Sequence, residues 1–228
     1  MNILITSGGT SEKIDQVRSI TNHSTGQLGK IISERFLEAG FSVTLVTTPT
    51  AVQPKEHPHL RRIFIKDVAE LQTVLEKETP THLVLIHAMA VSDYSPVYMS
   101  GFQAVKEASN LEQFLHQSNK ESKISSEEDY QVLFLKKNPK LISLVKTWNP
   151  DIRLIGFKLL VDVAQDQLLA VARASLEKNQ AEMIVANDLN EIQDGKHRAY
   201  LVTKDATQIA ETKLDIAQKI YHHIINKG

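Results

Sequence analysis

The residues best placed to do chemistry lie near the start of the chain, in SGGTSEKIDQVRSITNHSTGQLG from Ser7 to Gly29. The apolar run Ile3-Leu4-Ile5 before it has no polar alternation and reads as a buried parallel strand. At Ser7-Gly8-Gly9-Thr10 two glycines allow a sharp turn and a backbone laid bare against a ligand. Asp15, Arg18 and Asn22 follow in a polar loop. Ser24-Thr25-Gly26 then leads into helical spacing at Leu28, Ile31, Ile32, Phe36 and Ala39. A helix start offers free N–H groups and the positive end of the dipole. Strand, polar loop and helix N-terminus together suit a phosphorylated ligand.

Two commoner phosphate motifs fail here. A P-loop requires GxxxxGK[ST], but only two residues separate Gly26 from Gly29, and Ile31 cannot ligate Mg2+. A dinucleotide fingerprint requires GxGxxG and an acid closing the second strand; Val43-Thr44-Leu45-Val46 closes instead on Thr47-Thr48-Pro49.

A second candidate region follows the apolar run Leu83–Ile86, in His87-Ala88-Met89-Ala90-Val91-Ser92-Asp93-Tyr94. Ligands of open α/β sheets collect beyond the carboxyl ends of strands. Ala88 and Ala90 are small enough to admit a flat base or an acyl chain. Asp93 suits a ribose, Mg2+ or a lysine, though on this residue alone a helix cap or turn is the commoner role.

These residues stand in the register of phosphopantothenoylcysteine synthetase (phosphopantothenate–cysteine ligase), a family the chain resembles from Ile3 to its last helix. Bacterial members typically read Thr-Ala-Gly-Pro-Thr, Asp-Pro-Val-Arg and Asn-His-Ser-Ser-Gly-Lys-Met-Gly. This chain departs with Gly9, Gln16, Thr25 and Gln27-Leu28, and keeps Asp15, Val17, Arg18, Asn22, His23, Ser24, Gly26 and Gly29. Ala88 to Tyr94 resembles the family's Ala-Ala-Val-Ala-Asp-Tyr motif, which implies nucleotide contacts for Ala88, Met89, Ala90 and Asp93. Lys123-Ile124 matches the first half of a Lys-Ile-Lys-Lys loop motif, with Ser125-Ser126 replacing the other lysines; the resemblance puts the catalytic lysine at Lys123. Asn138-Pro139 reads as an N-cap with proline at N1. The resemblance lays this helix start, Pro139, Lys140, Leu141 and Ile142, on the nucleotide phosphates. Phe157, in Gly156-Phe157-Lys158, is the candidate to pack against the base, or a core aromatic. Leu160 stands where the family carries Glu. Lys178 is implied on the phosphates, and its partner lysine falls on Ala174, leaving that contact missing or supplied by Arg173.

The substrate side is assigned to Gly8, Gly9, Thr10, Asp15, Arg18, Ser24, Thr25 and Gly26. Asn22, just ahead of the helix expected to hold the substrate phosphate, can hold the acyl group or serve as a cap.

The elements that must position these groups alternate strand and helix, which implies a Rossmann-like, mostly parallel sheet in a three-layer α/β/α sandwich with a C-terminal antiparallel hairpin. Further strands are expected at Arg62–Ile65, Val132–Leu135 and Met183–Asp188, and the hairpin at Arg198–Thr203 with Thr207–Ala210. Asp67 is a plausible cap for a helix burying Val68, Leu71, Val74 and Leu75. The last helix is expected to bury Leu214, Ala217, Ile220 and Ile224. Residues 95–129 read as an irregular, flexible lid loop.

With 228 residues, 42% hydrophobic and 23% charged, the chain fits one α/β domain, 1–228. A net charge of −1 gives no basic surplus for nucleic acid or membrane surfaces. The absence of cysteine excludes disulfides and thiolate chemistry and fits a cytoplasmic setting. No signal peptide or membrane span is expected, nor zinc from the nine histidines. The resemblance implies coenzyme A biosynthesis: a nucleoside triphosphate, with Mg2+, activates phosphopantothenate as an acyl-nucleotide, and cysteine displaces the monophosphate. CTP is favoured over ATP because the NHSTG register looks bacterial. A homodimer is expected, and no FMN, since the decarboxylase half of many bacterial members is not in this sequence. A nicotinamide-dependent oxidoreductase and a non-catalytic nucleotide sensor are the alternatives.

Overall fold

The computed structural model describes residues 2–119, 124–125, 127–193 and 195–226. Strand β1 (Asn2–Ser7) is buried from its second residue on. The polar loop after it folds back as a small antiparallel pair, β2 (Ser11–Lys13) with β3 (Ser19–Thr21). Helix α1 (Gln27–Glu38) returns the chain to β4 (Ser42–Thr47) and then β5 (Leu60–Phe64). Helix α2 (Val68–Glu78) precedes β6 (Val84–His87). Next come β7 (Tyr94–Gly101), the short α3 (Phe102–Glu107), β8 (Gln131–Lys137) and a one-turn helix α4 (Val145–Trp148). The chain closes with β9 (Arg153–Leu160), α5 (Gln165–Lys178), β10 (Met183–Asp188), β11 (Ala199–Val202), β12 (Thr207–Ala210) and α6 (Lys213–Asn226).

The main sheet has eight strands in the order β12-β11-β10-β9-β6-β1-β4-β5. It is parallel from β5 to β10, and β11 and β12 add the antiparallel hairpin. The unbroken apolar runs sit in its centre because both faces are covered. One layer is α1 and α6, whose Ile32, Phe36, Ile216 and Ile220 pack on Ile3, Ile5, Ile86 and Val185. The other is α2, α4 and α5, whose Leu71, Leu75, Val145, Leu168 and Ala172 pack on Leu4, Leu85, Leu154 and Ile184. The α/β/α sandwich and its closing hairpin are thus as the sequence pattern implies. Asp67 caps α2 by accepting the Glu70 N–H at 2.9 Å.

Several local expectations need correcting. Residues 94–101 are a strand, where an irregular lid was expected from residue 95, and Val132–Leu135 belongs to β8, which pairs with β7 in a separate two-stranded arm outside the main sheet. The arm carries its own aromatic cluster, with Phe114 stacked on Phe134 at 5.1 Å and on Tyr98 at 6.0 Å. Asn138-Pro139 does not start a helix. The Asn138 amide donates to the Ser92 carbonyl at 3.0 Å and its oxygen accepts from Ser95 Oγ at 2.8 Å. Only a 3-10 turn, Leu141–Ser143, precedes α4. Leu214 is 70% exposed, and Ile216 takes the inward position beside Ala217. Leu83 is also exposed, and β6 runs one residue further, to His87.

At the amino end of β9, Arg153 donates to both oxygens of Glu182, at 2.7 and 2.8 Å, and to the Ile224 carbonyl in the last turn of α6 at 2.8 Å. Burial raises the Glu182 pKa, but the hydrogen bonds and charges of Arg153 and His223 outweigh it and leave the group at about 2. Glu182→Gln is expected to cost about 2 kcal/mol at pH 7. Because the folded pKa is depressed, this stabilisation is present above the ordinary glutamate range and fades as pH falls toward 2. Urea unfolding of both proteins at pH 7 and pH 3 checks it: the gap should narrow at pH 3, and a gap independent of pH contradicts the assignment.

Candidate functional site

The sheet order reverses between β1 and β6, since β4 and β5 lie on one side of β1 and β6, β9 and β10 on the other. A crevice opens at such a point, outside the carboxyl ends of the strands. The two loops leaving it stay bonded to each other. Ala88 N–H donates to Thr6 O at 3.2 Å, Ala90 N–H to Gly8 O at 2.9 Å, and Thr10 N–H to Ala90 O at 3.0 Å. The Thr10 hydroxyl donates to Ser92 Oγ and accepts the Ser92 N–H, both at 3.0 Å. Thr10 is fully buried, and its hydroxyl spends both bonds on Ser92. Gly8 and Gly9 likewise lie behind the cavity wall: a Cβ on Gly9 would sit 2.3 Å from the Asn22 carbonyl oxygen, and one on Gly8 2.8 Å from Thr48 Oγ1. None of these three residues is on the lining of the two cavities described below. The close approach they permit is between segments of the chain itself.

Helix α1 begins at Gly26, which has φ +77° and no side-chain cap bond. An L side chain is strained there, and a Cβ would meet that of Ala51 at 2.8 Å. The Gln27 N–H finds only Thr25 Oγ1, at 3.3 Å, and the first helical bond is Lys30 N–H to Gly26 O. The Leu28 and Gly29 N–H groups have no partner among the described residues, so α1 presents free donors to the crevice. Asn22 caps nothing, and its side-chain amide has no partner among the described residues either.

Two cavities flank this point. The first, of about 610 Å³, is lined by Asn22, Ser24, Thr25 and Gly26, the start of α1, Ala88 and Ala90, with Asn187, His197 and Lys213 opposite. The second, of about 380 Å³, lies on the α5 side between His87, Leu141, Ile142, Ala174 and Lys178. Met89, Val91, Asp93, Lys140, Phe157 and Lys158 line both. Among the described residues Asp93, exposed and paired with Lys140, is the only carboxylate on either lining. A groove of about 580 Å³ between the β11–β12 turn and α6 lies at the amino end of the parallel strands, away from these residues.

The model of the DNA/pantothenate metabolism flavoprotein C-terminal domain matches residues 1–227. The chain belongs to this family. A coenzyme A biosynthesis bifunctional protein, CoaBC, of Methanocaldococcus jannaschii is 29% identical over 225 residues, 97% of this chain and 50% of that protein. The chain thus spans about half the length of the curated relatives it matches. The crystal structure of the DNA/pantothenate metabolism flavoprotein from Streptococcus pneumoniae is 54% identical, with a TM-score of 0.96 over 100% of both chains. That of the C-terminal domain of a CoaBC is 26% identical, with a TM-score of 0.72 over 98% of this chain and 93% of that one. The family read from the NHSTG register is the family that matches.

In this member of the DNA/pantothenate metabolism flavoprotein C-terminal domain family, Asp15 and Arg18 stand apart from both cavities. Arg18 donates to Asp15 through Nε at 3.0 Å and Nη2 at 2.6 Å, and Nη2 also reaches the Ile124 carbonyl at 2.8 Å. Asp15 in turn accepts the Ile124 N–H at 3.1 Å. The pair grips a distant segment by its backbone. Arg18 holds the Asp15 carboxyl far below the usual carboxylate range. Lys123 and Ser126, neighbours of that segment, lie outside the described residues.

Around the second cavity, Pro139, Lys140, Leu141 and Ile142 line the wall as a group, but the short turn offers no helix terminus, and the cation this group brings to the wall is Lys140. Arg173 does not replace the lysine missing at Ala174; it reaches out to Thr207 Oγ1 at 3.4 Å. Lys158, on both linings, is the cation that sequence reading passed over, along with His87, Asn187, His197 and Lys213. Only a strand-by-strand register would have shown Lys158 at the crevice. Asp15→Asn removes the charge that holds Arg18 and accepts at Ile124. Amide hydrogen exchange at Ile124 should accelerate about tenfold, and unchanged exchange contradicts the clamp.

Proposed function

We propose that this chain joins phosphopantothenate to L-cysteine, driven by a nucleoside triphosphate, through an acyl-nucleotide in coenzyme A biosynthesis. One observation carries the reading: two cavities, one facing a free helix N-terminus and the other edged by lysines, meet along a shared wall of six residues. Two anionic ligands can be bound separately there with their reactive ends together. A carboxylate resists attack by an amine until it carries a good leaving group, so the chemistry needs such a meeting point.

In this reading the phosphate of phosphopantothenate rests on the Leu28 and Gly29 N–H groups of α1, with Ser24 and Thr25 alongside. Asn22 holds the acyl end. The nucleotide takes the second cavity, its base against Phe157 and its phosphates among Lys140, Lys178 and Lys158. The substrate carboxylate attacks the α-phosphate and pyrophosphate leaves. The cysteine amine then attacks the acyl carbonyl and the nucleoside monophosphate leaves. Lysines aimed where charge builds in the first step act by electrostatic stabilisation. Lys123 joins them by the family resemblance. Mg2+ would be held mainly by the triphosphate: among the described residues Asp93 is the only carboxylate on the linings, which fits an ion that keeps several waters and takes one or two carboxylates. It would neutralise phosphate charge.

CTP is favoured over ATP on the NHSTG register, and a cytoplasmic homodimer is part of the same proposal. Among the described residues no helix is long and apolar enough to cross a membrane.

The decisive assay is pyrophosphate release with phosphopantothenate present. CTP should support it faster than ATP; equal or faster turnover with ATP contradicts the nucleotide preference, and no release with either contradicts the ligase. Lys123→Gln should slow release about 10²–10³-fold, the usual loss for a transition-state donor, with unfolding unchanged. A wild-type rate returns Lys123 to a solvated lysine.

Asn22 acts in the second half-reaction by fixing the mixed anhydride for the amine. Asn22→Asp, assayed with cysteine supplied, should therefore accumulate acyl-nucleotide detectable by quenched-flow mass analysis. Activity that falls only in step with stability, without accumulation, contradicts that role.

A further inference from the structure

His87 closes β6 and is 7% exposed, at the inner end of the cavity edged by Lys140 and Lys178. It lies two residues beyond Leu85, on the same face of the sheet. A buried imidazole on an apolar face must account for both ring nitrogens. Nδ1 lies 2.8 Å from the Thr6 hydroxyl. That hydroxyl already accepts the Met89 N–H at 3.2 Å, and Thr6 is fully buried. Among the described residues its own hydrogen has no acceptor but Nδ1. Nδ1 is therefore the acceptor, and the ring proton sits on Nε2. Desolvation lowers the imidazole pKa to about 4, so the ring is uncharged at neutral pH. Nε2 has no hydrogen-bond partner among the described residues and is not sealed from the cavity.

The outcome is a fixed, neutral donor at the deep end of a slot walled by Met89, Leu141, Ile142 and Phe157, with two exposed lysines at its mouth. A flat heteroaromatic with an acceptor atom inward and phosphates outward complements all three features. We propose that His87 is a specificity-determining residue whose Nε2–H donates a hydrogen bond to a ring nitrogen or carbonyl of the nucleobase. This rests on the reading of the second cavity as the nucleotide site. Cytosine and adenine both offer such acceptors, so CTP and ATP are the two sources. A neutral donor suits them better than a cation, because neither the base nor the buried ring then brings an unpaired charge into the slot. A base presenting N–H at that point would meet N–H and be rejected.

The test is isothermal titration of the full chain with CTP, ATP and inorganic triphosphate. His87→Leu keeps the volume and removes the donor. It should weaken the better-bound nucleotide about tenfold and leave triphosphate, which reaches only the lysines, unchanged. His87→Gln retains a side-chain N–H at nearly the reach of Nε2 and should recover part of the loss. Should the leucine variant not fold, His87→Asn, which can face Thr6 but falls short of Nε2, asks the same question. Nucleotide affinity unchanged in His87→Leu, triphosphate affinity lost in parallel, or a glutamine variant as weak as the leucine one would each overturn the proposal. Wild type binding neither nucleotide overturns both this role and the nucleotide site. Wild type that binds nucleotide but releases no pyrophosphate with phosphopantothenate overturns the ligase reading and leaves His87 standing.

Discussion

The site depends on the pairing of two loops that would ordinarily part company. At the reversal of strand order the segments after β1 and β6 have every topological reason to diverge, yet three backbone hydrogen bonds and the Thr10–Ser92 pair keep them side by side past the sheet edge. The isolated bridge between Gly9 and Ala90 marks how far the ladder continues. Because this wall is held, Ala88, Met89 and Ala90 have a defined place between the two cavities, and the Asn22 segment has a surface to lie on. Buried, satisfied polar groups of this kind specify one arrangement, since leaving any one unpaired costs about 1–3 kcal/mol.

Charge is distributed to match. The chain as a whole carries −1, and nothing in its composition suggests an anion-binding protein. Among the described residues the two cavity linings nevertheless bring together Lys140, Lys158, Lys178 and Lys213 with a single carboxylate, Asp93. Two free N–H groups of α1 add to this field from a part of the chain that carries no formal charge. Anion affinity here comes from placement, which net charge does not report.

Much of this was legible in the residues. Apolar-rich runs marked β1, β4, β6 and β10, and Asp67 marked the start of α2, because these signals are local and the core confirms them. The NHSTG segment pointed to the start of α1 and to Asn22 on the cavity wall. What was not legible was non-local. Gly8, Gly9 and Thr10 pack against other segments of the chain, and a glycine turn against a ligand and one against another segment of chain have the same sequence. Asp15 and Arg18 grip Ile124, more than a hundred residues away, a contact no local pattern announces. The β7–β8 arm was missed because its pairing partners are separated by a long polar stretch and its small aromatic core is built from three distant rings. Asn138-Pro139 carried a genuine helix-start signal, but the Asn138 side chain is drawn to Ser92 and Ser95.

The junction of the two cavities is best tested by a crystal structure of this chain with phosphopantothenate and a non-hydrolysable CTP analogue. The phosphopantothenate phosphate should lie on the Leu28 and Gly29 N–H groups, and its carboxylate should meet the α-phosphate beside Met89 and Lys158. Both ligands competing for one cavity, or the nucleotide seated in the groove between the β11–β12 turn and α6, would contradict it.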